Sequence, residues 1–323
     1  MSGEHGLGTG TCGTCGEALL LDDRFCEGCG TPVPVPVEPV PPAADPAAVE
    51  AEQAAADAAR DHAELVDGPV AAVTDRGRAH WRNEDAVGIR WVGGDSRGFV
   101  LVVSDGVSVS QEPQRVSQVA VDTALRVLSS AVVAGVDLEI AMFEATAAAQ
   151  QAASALPFDP DLEVGPGACT IVAAAVQNGL ATFGSVGDSR AYWIDAGRAV
   201  QIGRDDSLAA EMVASGRMTE SQAMARPGAH ALTKWLGVDS IDAAPKVTTV
   251  ELPGPGLVVL ASDGLWNYVP EADDLARLIG RPGAESAHDL ARRLVAFADG
   301  AGGADNITVA VGPHDLGPQE VVP

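Results

Sequence analysis

Five short segments each place an aspartate beside a glycine, a serine or another turn-forming residue: NED (83–85), VVSDG (102–106), VGDSR (186–190), LASDG (260–264) and ADNIT (304–308). Apolar runs that suit β-strands carry several of these carboxylates to a strand end, where glycine lets the backbone approach a bound group. Hard divalent cations such as Mg²⁺ and Mn²⁺ take oxygen ligands. Several aspartates without basic partners repel one another unless cations bind. The segments therefore predict a divalent-cation site.

Each segment alone is a weak signal. An Asp-Gly pair after a strand is more typical of a turn than of a metal ligand. The GDSR segment alone fits turn chemistry with an exposed arginine. Five such ends in one domain, two of them nearly identical (VVSDG and LASDG), are hard to explain as turns alone.

The N-terminal cysteines form a second candidate metal site of a different kind. Cys12, Cys15, Cys26 and Cys29 have the spacing CxxC-x10-CxxC. Four thiolates suit tetrahedral Zn²⁺, and disulfides or redox pairs are the weaker alternatives in a reducing compartment. So short a unit needs metal binding for most of its stability. Cys169 lies in a predicted strand and is interpreted as a small core residue rather than a nucleophile.

Hydrophobic patterning predicts the elements that must position these groups. Two long Ala/Val/Leu-rich runs, 113–134 and 137–155, have helical spacing, and shorter helices are expected at 271–280 and 285–299. Strands are expected at 70–75, 86–92, 98–106, 169–176, 180–189, 190–195, 247–252, 256–264 and 306–312. This order predicts largely antiparallel sheets covered by helices.

Composition divides the chain into four zones. Residues 1–31 are expected to form a zinc-ribbon-like knuckle, 32–66 a Pro/Ala-rich linker, 67–315 the large domain and 316–323 a tail. The Pro-rich half of the linker favours extended conformation, and its Ala-rich half is either a marginal helix or disordered.

Charge and hydropathy exclude some classes of partner. The 323-residue chain has a formal net charge of −25, so it repels nucleic acids and anionic membranes. Its first residues, MSGEHGLGTG, contain no apolar signal region, and no apolar run approaches the ~20 residues that span a bilayer. We expect a cytoplasmic protein that binds neither nucleic acid nor membrane.

The order of the motifs resembles a known family. The segments TDRGRAHWRNEDA, VVSDG, GSVGDSRAY, DDS (205–207), LTKWLG, LASDGLW and ADNITVAV together resemble the PP2C-type, or PPM, protein phosphatases of bacterial type, over about residues 70–312. The resemblance implies an α+β fold, a four-layer α/β/β/α sandwich of two mainly antiparallel sheets flanked by helices. It also implies a binuclear Mn²⁺/Mg²⁺ centre, with a bridging water that hydrolyses phosphoserine and phosphothreonine on proteins.

The same resemblance assigns roles to individual residues. Asp105 would bridge the two metals with help from the Gly106 carbonyl, and Asp263 and Asp305 would bind the second ion. Glu84 and Asp85 would bind a metal or orient its water. Asp188 matches a ligand of a weaker third metal, with a buried structural role as its alternative, and Asn306 would brace the loop of Asp305.

Two departures from the family pattern affect the site. The family usually has an arginine for the substrate phosphate where this chain has His80. His80 could contact phosphate, protonate the leaving alkoxide or simply pack, and Arg78 or Arg82 could supply the missing positive charge. The family also shows a glycine-rich loop after the Asp-Gly pair, which here reads Val107-Ser108-Val109-Ser110.

A further segment, residues 208–231, resembles the family's flap over the substrate cleft. Its three methionines, Met212, Met218 and Met224, would either adapt to peptide side chains or, more simply, pack within the segment.

Three functions follow from these signals. The first is an active phosphoprotein phosphatase whose substrate is the target of a bacterial Ser/Thr kinase. The second is a weak or inactive regulator that binds phosphoproteins with the same fold. The third is an adaptor built around the zinc knuckle. In the other two cases the knuckle either docks a partner or substrate or is an inert cap.

Overall fold

The computed structural model describes residues 10–16, 18–19, 26, 28–29, 31, 61–93, 98–195 and 197–314. The chain divides into two compact units, residues 1–51 and 52–323. The part of the predicted linker over 32–60 and the predicted tail over 316–323 lie outside the described residues.

Among the described residues, both units contain β-strands, and the helices lie in the second unit. The strands are β1 (Gly10–Thr11), β2 (Ala18–Leu19), β3 (His62–Asp67), β4 (Val70–Asp75), β5 (Ala86–Val92), β6 (Gly98–Ser104), β7 (Ala168–Cys169), β8 (Ile171–Gln177), β9 (Leu180–Val186), β10 (Arg190–Asp195), β11 (Arg198–Ile202), β12 (Leu236–Gly237), β13 (Lys246–Glu251), β14 (Gly256–Ala261) and β15 (Ile307–His314). The helices are α1 (Pro113–Ala134), α2 (Leu138–Ser154), α3 (Leu208–Ala214), α4 (Glu220–Met224), α5 (Asp263–Trp266), α6 (Ala272–Ile279) and α7 (Ala287–Ala301).

Two antiparallel sheets form the centre of the second unit. One has five strands in the order β13-β9-β8-β6-β5, and the other has six in the order β11-β10-β14-β15-β4-β3. The sequences of β6 and β8 are continuous apolar runs, and both strands are wholly buried. A strand covered on both faces has no solvent side, which explains why its sequence does not alternate.

Helices cover the outer face of each sheet. The pair α1 and α2 packs on the five-stranded sheet, and α6 and α7 pack on the six-stranded sheet. A third apolar core, which includes Phe99, Leu101 and Leu260, lies between the two sheets. The predicted four-layer α/β/β/α sandwich is therefore confirmed.

Two of the long helices, α2 and α7, begin at residues whose side chains cap the first turn. Asp137 precedes α2 and accepts hydrogen bonds from the backbone N–H groups of Glu139 and Ile140, and Ser286 does the same for Asp289 at the start of α7. Such caps satisfy donors that the first helical turn leaves free. Gly135 ends α1 in the left-handed conformation that glycine adopts at low cost.

One predicted boundary is wrong. The linker was expected to continue to residue 66, but residues 62–67 form β3 and pair with β4 from His62↔Asp75 to Asp67↔Val70. This strand is an edge strand that alternates exposed with half-buried side chains, so its sequence HAELVD lacks the apolar run of a central strand. The large domain therefore includes β3.

The expectation that no apolar run approaches the length of a membrane span was also wrong. Among the described residues, α1 is long and apolar enough to span a bilayer by length and composition. It instead packs against α2 and the five-stranded sheet, with side chains such as Val121, Ala124 and Leu128 completely or almost completely buried. This apolar face belongs to the core of the sandwich.

Candidate metal centre

Paired strands deliver the predicted aspartates to one end of the two sheets. Asp85 directly precedes β5 and Asp105 directly follows β6, and the register pairs Ala86 with Ser104. In the other sheet, β14 ends just before Asp263 and β15 begins just after Asp305, and the two strands are paired. Adjacent antiparallel strands thus place two carboxylates of each sheet at neighbouring strand ends.

Repulsion among these carboxylates shifts their pKa values. Burial raises the pKa of Asp105 well above its ordinary value, and repulsion from Asp85, Asp263, Asp188 and Asp305 raises it further. Burial and the charges of Asp305 and Asp263 raise the pKa of Asp85 to about 7, against the opposing hydrogen bonds from Thr308 and Ser262. The aspartates brought from distant parts of the sequence therefore form one acidic cluster, with Asp305 at its more exposed edge.

Two oxygens in this cluster have no hydrogen-bond partner. Asp85 Oδ1 and Asp263 Oδ1 are buried and unpaired, whereas their other oxygens accept hydrogen bonds from Ser262 Oγ at 2.8 Å and Asn267 Nδ2 at 3.2 Å. The pKa of Asp263 is raised to about 6 by burial and by the charge of Asp305. Buried, unsatisfied carboxylate oxygens are costly unless a cation occupies the space between them.

The donor set fits hard divalent cations, because it consists of carboxylate oxygens. Among the described residues, only the cysteine quartet brings three or more donor atoms within 4.8 Å of one another. One ion would therefore reach at most two of these aspartates as they stand. The acidic cluster as a whole suits more than one ion, with water completing each coordination shell.

The glycines of the two Asp-Gly pairs are required by close backbone packing. A Cβ on Gly106 would lie 2.7 Å from the Glu84 carbonyl oxygen and 2.8 Å from that of Pro113. A Cβ on Gly264 would lie 1.9 Å from the carbonyl oxygen of Asn306. Any side chain at either position would push the aspartate loops apart.

Asn306 joins the loops that carry the acidic residues. Its Oδ1 accepts the backbone N–H of Glu84 at 2.7 Å, and its Nδ2 donates to the carbonyl oxygens of Arg76 and Arg82. These contacts agree with its predicted role as a brace. Sequence reasoning missed Ser262, although the repeated Ser-Asp-Gly pattern was a signal that the serine has a partner at the site.

Glu84 stands apart from the unpaired carboxylates. Its Oε1 accepts a hydrogen bond from Arg82 Nε at 3.0 Å, and its Oε2 accepts one from Ser108 Oγ at 2.5 Å. Both oxygens of this buried side chain thus have protein partners. The structure places Glu84 as the partner of Arg82, beside the acidic cluster.

His80 lies at the edge of the cluster. Its Nε2 is 3.1 Å from Asp305 Oδ1, an oxygen that also accepts the backbone N–H of Asn306. Arg78, by contrast, makes a two-pronged ion pair with Asp299. Of the basic residues proposed for the phosphate, His80 is brought to a predicted metal ligand and Arg78 is engaged elsewhere.

The GDSR segment has a structural arginine. Arg190 is buried, makes a bidentate ion pair with Asp205 and lies over the Trp266 ring at 3.7 Å. The alternative of an exposed turn arginine is therefore wrong. Asp188, two residues earlier, is also buried, and burial with repulsion from Asp263 and Asp205 raises its pKa to about 8. Asp188 thus belongs to the acidic cluster.

Similarity to known proteins agrees with this arrangement. The model of the family described as protein phosphatase 2C matches residues 76–288, more than half of the chain. The chain belongs to the protein phosphatase 2C family. It is a protein serine/threonine phosphatase of the bacterial type.

Two curated relatives illustrate the match. The serine/threonine phosphatase stp of Listeria innocua is 28% identical over 251 residues, covering 75% of this chain and 94% of the relative. The serine/threonine protein phosphatase PstP of Mycobacterium tuberculosis is 32% identical over 245 residues, covering 75% of this chain and 44% of PstP.

Solved structures share the fold. The S. agalactiae serine/threonine phosphatase aligns with a TM-score of 0.62 at 23% identity, covering 75% of this chain and 97% of that one. The catalytic domain of PstP in complex with two manganese ions aligns with a TM-score of 0.57 at 26% identity, covering 76% of this chain and 98% of that one.

The predicted flap of the phosphatase contains two short helices, α3 and α4. Met212, Met218 and Met224 are partly buried against a small cluster of three alanines within this segment, Ala209, Ala223 and Ala229. The simpler interpretation of these methionines, packing within the segment, agrees with this cluster.

The five cysteines lie in two different environments. Cys169 is fully buried in β7, and burial raises the pKa of its thiol to about 12, which agrees with an inert core residue. The quartet is brought together, with Cys12 Sγ 3.6 Å from Cys29 Sγ and Cys15 Sγ 3.4 Å from Cys26 Sγ. All four are free thiols rather than disulfides, and their sulfurs lie within 4.8 Å of one another.

The sulfur environment favours metal binding. Backbone hydrogen bonds, first from Thr14 and then from Cys15, lower the pKa of Cys12 to about 6, so this sulfur is a thiolate at neutral pH. Burial raises the pKa of Cys26, which a bound cation would reverse. The quartet fits Zn²⁺ by ligand type, number and proximity.

The acidic cluster gives the metal-free phosphatase a distinctive pH dependence. The raised pKa values of Asp85, Asp188 and Asp263 mean that folding stability is highest below their unfolded values and falls as pH rises through about 6 to 8. Each pKa unit corresponds to about 1.4 kcal/mol, and 1 kcal/mol moves Tm by about 2–4 °C in a domain of this size. In chelator, we expect a Tm at least about 5 °C lower at pH 8 than at pH 5.5 by calorimetry.

The control for this experiment is excess Mn²⁺, which should remove most of the difference. His62 acts in the same direction, because the hydrogen bond to Asp75 raises its pKa, so the scan is repeated in His62→Gln. A chelated protein that is equally stable at both pH values, or more stable at pH 8, would contradict the prediction.

Proposed function

We propose that the protein hydrolyses phosphoserine and phosphothreonine on protein substrates at a centre of two divalent cations, Mn²⁺ or Mg²⁺. The observation that carries the proposal is the pair of buried, unpaired oxygens, Asp85 Oδ1 and Asp263 Oδ1, inside one acidic cluster. The manganese complex of the related PstP catalytic domain supports it. When bound, such ions acidify water for attack on phosphorus and neutralise phosphoryl charge.

The ligands follow from the positions of the residues. Asp105 is repelled by Asp85, Asp263, Asp188 and Asp305, and its carboxylate would help to hold both ions. Asp85 and the carbonyl of Gly106 lie on the same pair of loops, whereas Asp263 and Asp305 come from the other sheet. Asp188, coupled to Asp263, would serve an additional, weaker ion.

The chain's own residues would position the substrate and move one proton. Ser262 fixes the orientation of the Asp85 carboxylate by its hydrogen bond to Oδ2. Arg82 would hold the substrate phosphate through its guanidinium. His80, held at Nε2 by Asp305, would deliver the proton that the departing serine or threonine oxygen needs.

The cysteine quartet would hold one Zn²⁺ through Cys12, Cys15, Cys26 and Cys29. The resulting knuckle would act as a docking element for a partner or substrate. The substrates would be proteins phosphorylated by a bacterial Ser/Thr kinase in the cytoplasm. The net charge of −25 opposes binding to nucleic acids or anionic membranes.

The test is hydrolysis of matched peptides. With Mn²⁺, we expect turnover of phosphothreonine and phosphoserine peptides and of p-nitrophenyl phosphate, all abolished by chelator and restored by Mn²⁺. A phosphotyrosine peptide of the same sequence measures residue preference. Metal-dependent phosphopeptide binding without phosphate release would refute hydrolysis and support the regulator.

A further inference from the structure

Arg82 is a mostly buried cation with donors left over. Its side chain is only 17% exposed, and Nε donates to Glu84 Oε1 at 3.0 Å. Its guanidinium carbon lies 4.4 Å from the centroid of the Trp81 ring, which packs on one face. Within the part of the chain that the structure describes, its two Nη groups have no hydrogen-bond acceptor. Donors of this kind that no protein group accepts are available to an anion.

Glu84 and Ser108 hold this guanidinium in place. Glu84 receives Arg82 on one oxygen and Ser108 on the other, so its carboxylate cannot rotate without losing a hydrogen bond. The backbone of Arg82 is also fixed, because Asn306 Nδ2 donates to its carbonyl oxygen at 3.1 Å. The side chains of Ser108, Glu84 and Arg82 therefore connect the loop after Asp105 with the segment before Asp85.

The other arginines of this segment have partners. Arg78 is paired with Asp299 through two hydrogen bonds, and Arg76 lies near Asp61 and the Trp81 carbonyl oxygen. His80 faces Asp305. Among these described arginines, Arg82 is the one whose two Nη groups both lack a protein acceptor. A guanidinium with two free Nη groups suits bidentate binding of a phosphate monoester.

We propose that Ser108 is a positioning residue that acts through Glu84 to aim Arg82 at the substrate phosphate. The proposal rests on the proposed function and deepens it, because it specifies how this chain grips phosphate where its sequence has His80 in place of the family's arginine. It also assigns a role to the loop after Gly106. The serine of Val107-Ser108-Val109-Ser110 supplies a hydrogen bond that a glycine could not.

The experiment is a double-mutant cycle read out with inorganic phosphate on the full-length, Mn²⁺-loaded protein. Binding is measured by calorimetry and, independently, as the competitive inhibition constant against p-nitrophenyl phosphate. We expect Arg82→Ala to weaken phosphate binding about 10–100-fold, because charge-assisted bonds are lost. Ser108→Ala should weaken it about 3–10-fold in the native background and leave it unchanged in the Arg82→Ala background.

Two controls separate positioning from damage to the loop. Ser110→Ala removes another hydroxyl of the same loop, one that accepts the backbone N–H of Ala168 and does not touch Glu84. It should leave phosphate affinity unchanged. Ser108→Thr keeps the hydroxyl and should retain native affinity, which also covers the case in which Ser108→Ala fails to fold.

The outcomes are distinct. Equal losses from Ser108→Ala in both backgrounds, no loss in the native background, or Ser108→Thr as weak as Ser108→Ala would each overturn the positioning role. Calorimetry needs no turnover, so the cycle can succeed even if phosphopeptides are not hydrolysed. Failure of the proposed hydrolysis is thereby distinguishable from failure of this proposal.

Discussion

Asp105→Asn is expected to abolish metal-dependent phosphatase activity while making the metal-free protein more stable. Loss of a residue that only orients a metal ligand costs about 10–100-fold, so loss of the shared ligand should reduce kcat by at least about 100-fold. At the same time, asparagine removes the carboxylate whose pKa burial and four neighbouring aspartates raise. We therefore expect a higher Tm in chelator at pH 8 and a much smaller rise in Tm on adding Mn²⁺.

The loop itself should survive this substitution. Its backbone is held independently of the carboxylate, because the N–H of Asp105 donates to Thr170 Oγ1 and its carbonyl oxygen accepts the Thr170 N–H. Asp122→Asn, an exposed aspartate on α1, removes the same charge and should change neither activity nor the Mn²⁺ effect. Native turnover in Asp105→Asn would remove this residue from the proposed centre.

The opposite effects on activity and stability have one physical cause. Asp85, Asp105, Asp188, Asp263 and the more exposed Asp305 repel one another, and the two unpaired oxygens accept no hydrogen bond from a protein group. Such a cluster lowers the free energy of unfolding, and a bound metal raises it again. The same repulsion that destabilises the metal-free protein therefore favours the binding of divalent cations.

Local sequence was sufficient where the structure repeats a local pattern. The strands over 86–92 and 190–195 and the helix over 113–134 have the predicted bounds, because their apolar residues face a core on at least one side. The aspartates at strand ends were also predictable, since each motif combines an apolar run or turn with a small residue. Their convergence came from the family resemblance rather than from any single motif.

Contacts between distant segments were not predictable in the same way. Ser108 donates a hydrogen bond to Glu84, but it lies in the loop that departs from the family pattern. Neither spacing nor resemblance therefore indicates this contact. The pairing of Arg190 with Asp205 needs the turn between β10 and β11 to bring two motifs together. Edge strand β3 was missed because its half-exposed residues resemble linker sequence.

The position of β3 changes how the N-terminal unit is removed. A deletion of residues 1–66 would take away a strand that pairs along its whole length with β4, and would confound docking with damage to the sheet. A deletion of residues 1–51 follows the boundary between the two compact units. This shorter deletion is the correct test of whether the knuckle contributes to small-substrate turnover.

Cys26→Ser is expected to eliminate zinc from the protein without affecting hydrolysis of p-nitrophenyl phosphate. Structural Zn²⁺ contributes about 10–16 kcal/mol to small cysteine-rich units at neutral pH, so one ligand in four is decisive for the fold of residues 10–31. Cys26 is buried and its Sγ lies 3.4 Å from that of Cys15, within the quartet that would hold the ion. Zinc content per chain is measured by elemental analysis after dialysis.

Cys169→Ala is the matched control, because Cys169 lies outside the quartet and its thiol is buried in β7. The native protein and this control should each keep one zinc per chain. Cys26→Ser should keep less than about a tenth of an equivalent, because a more than 100-fold loss of zinc affinity lets the metal leave during dialysis. A full equivalent in Cys26→Ser would show that the metal is held elsewhere. Small-substrate turnover should survive the loss of zinc, because the phosphatase unit has its own core and its own acidic cluster. If turnover were lost together with zinc, the knuckle would have to contribute to catalysis.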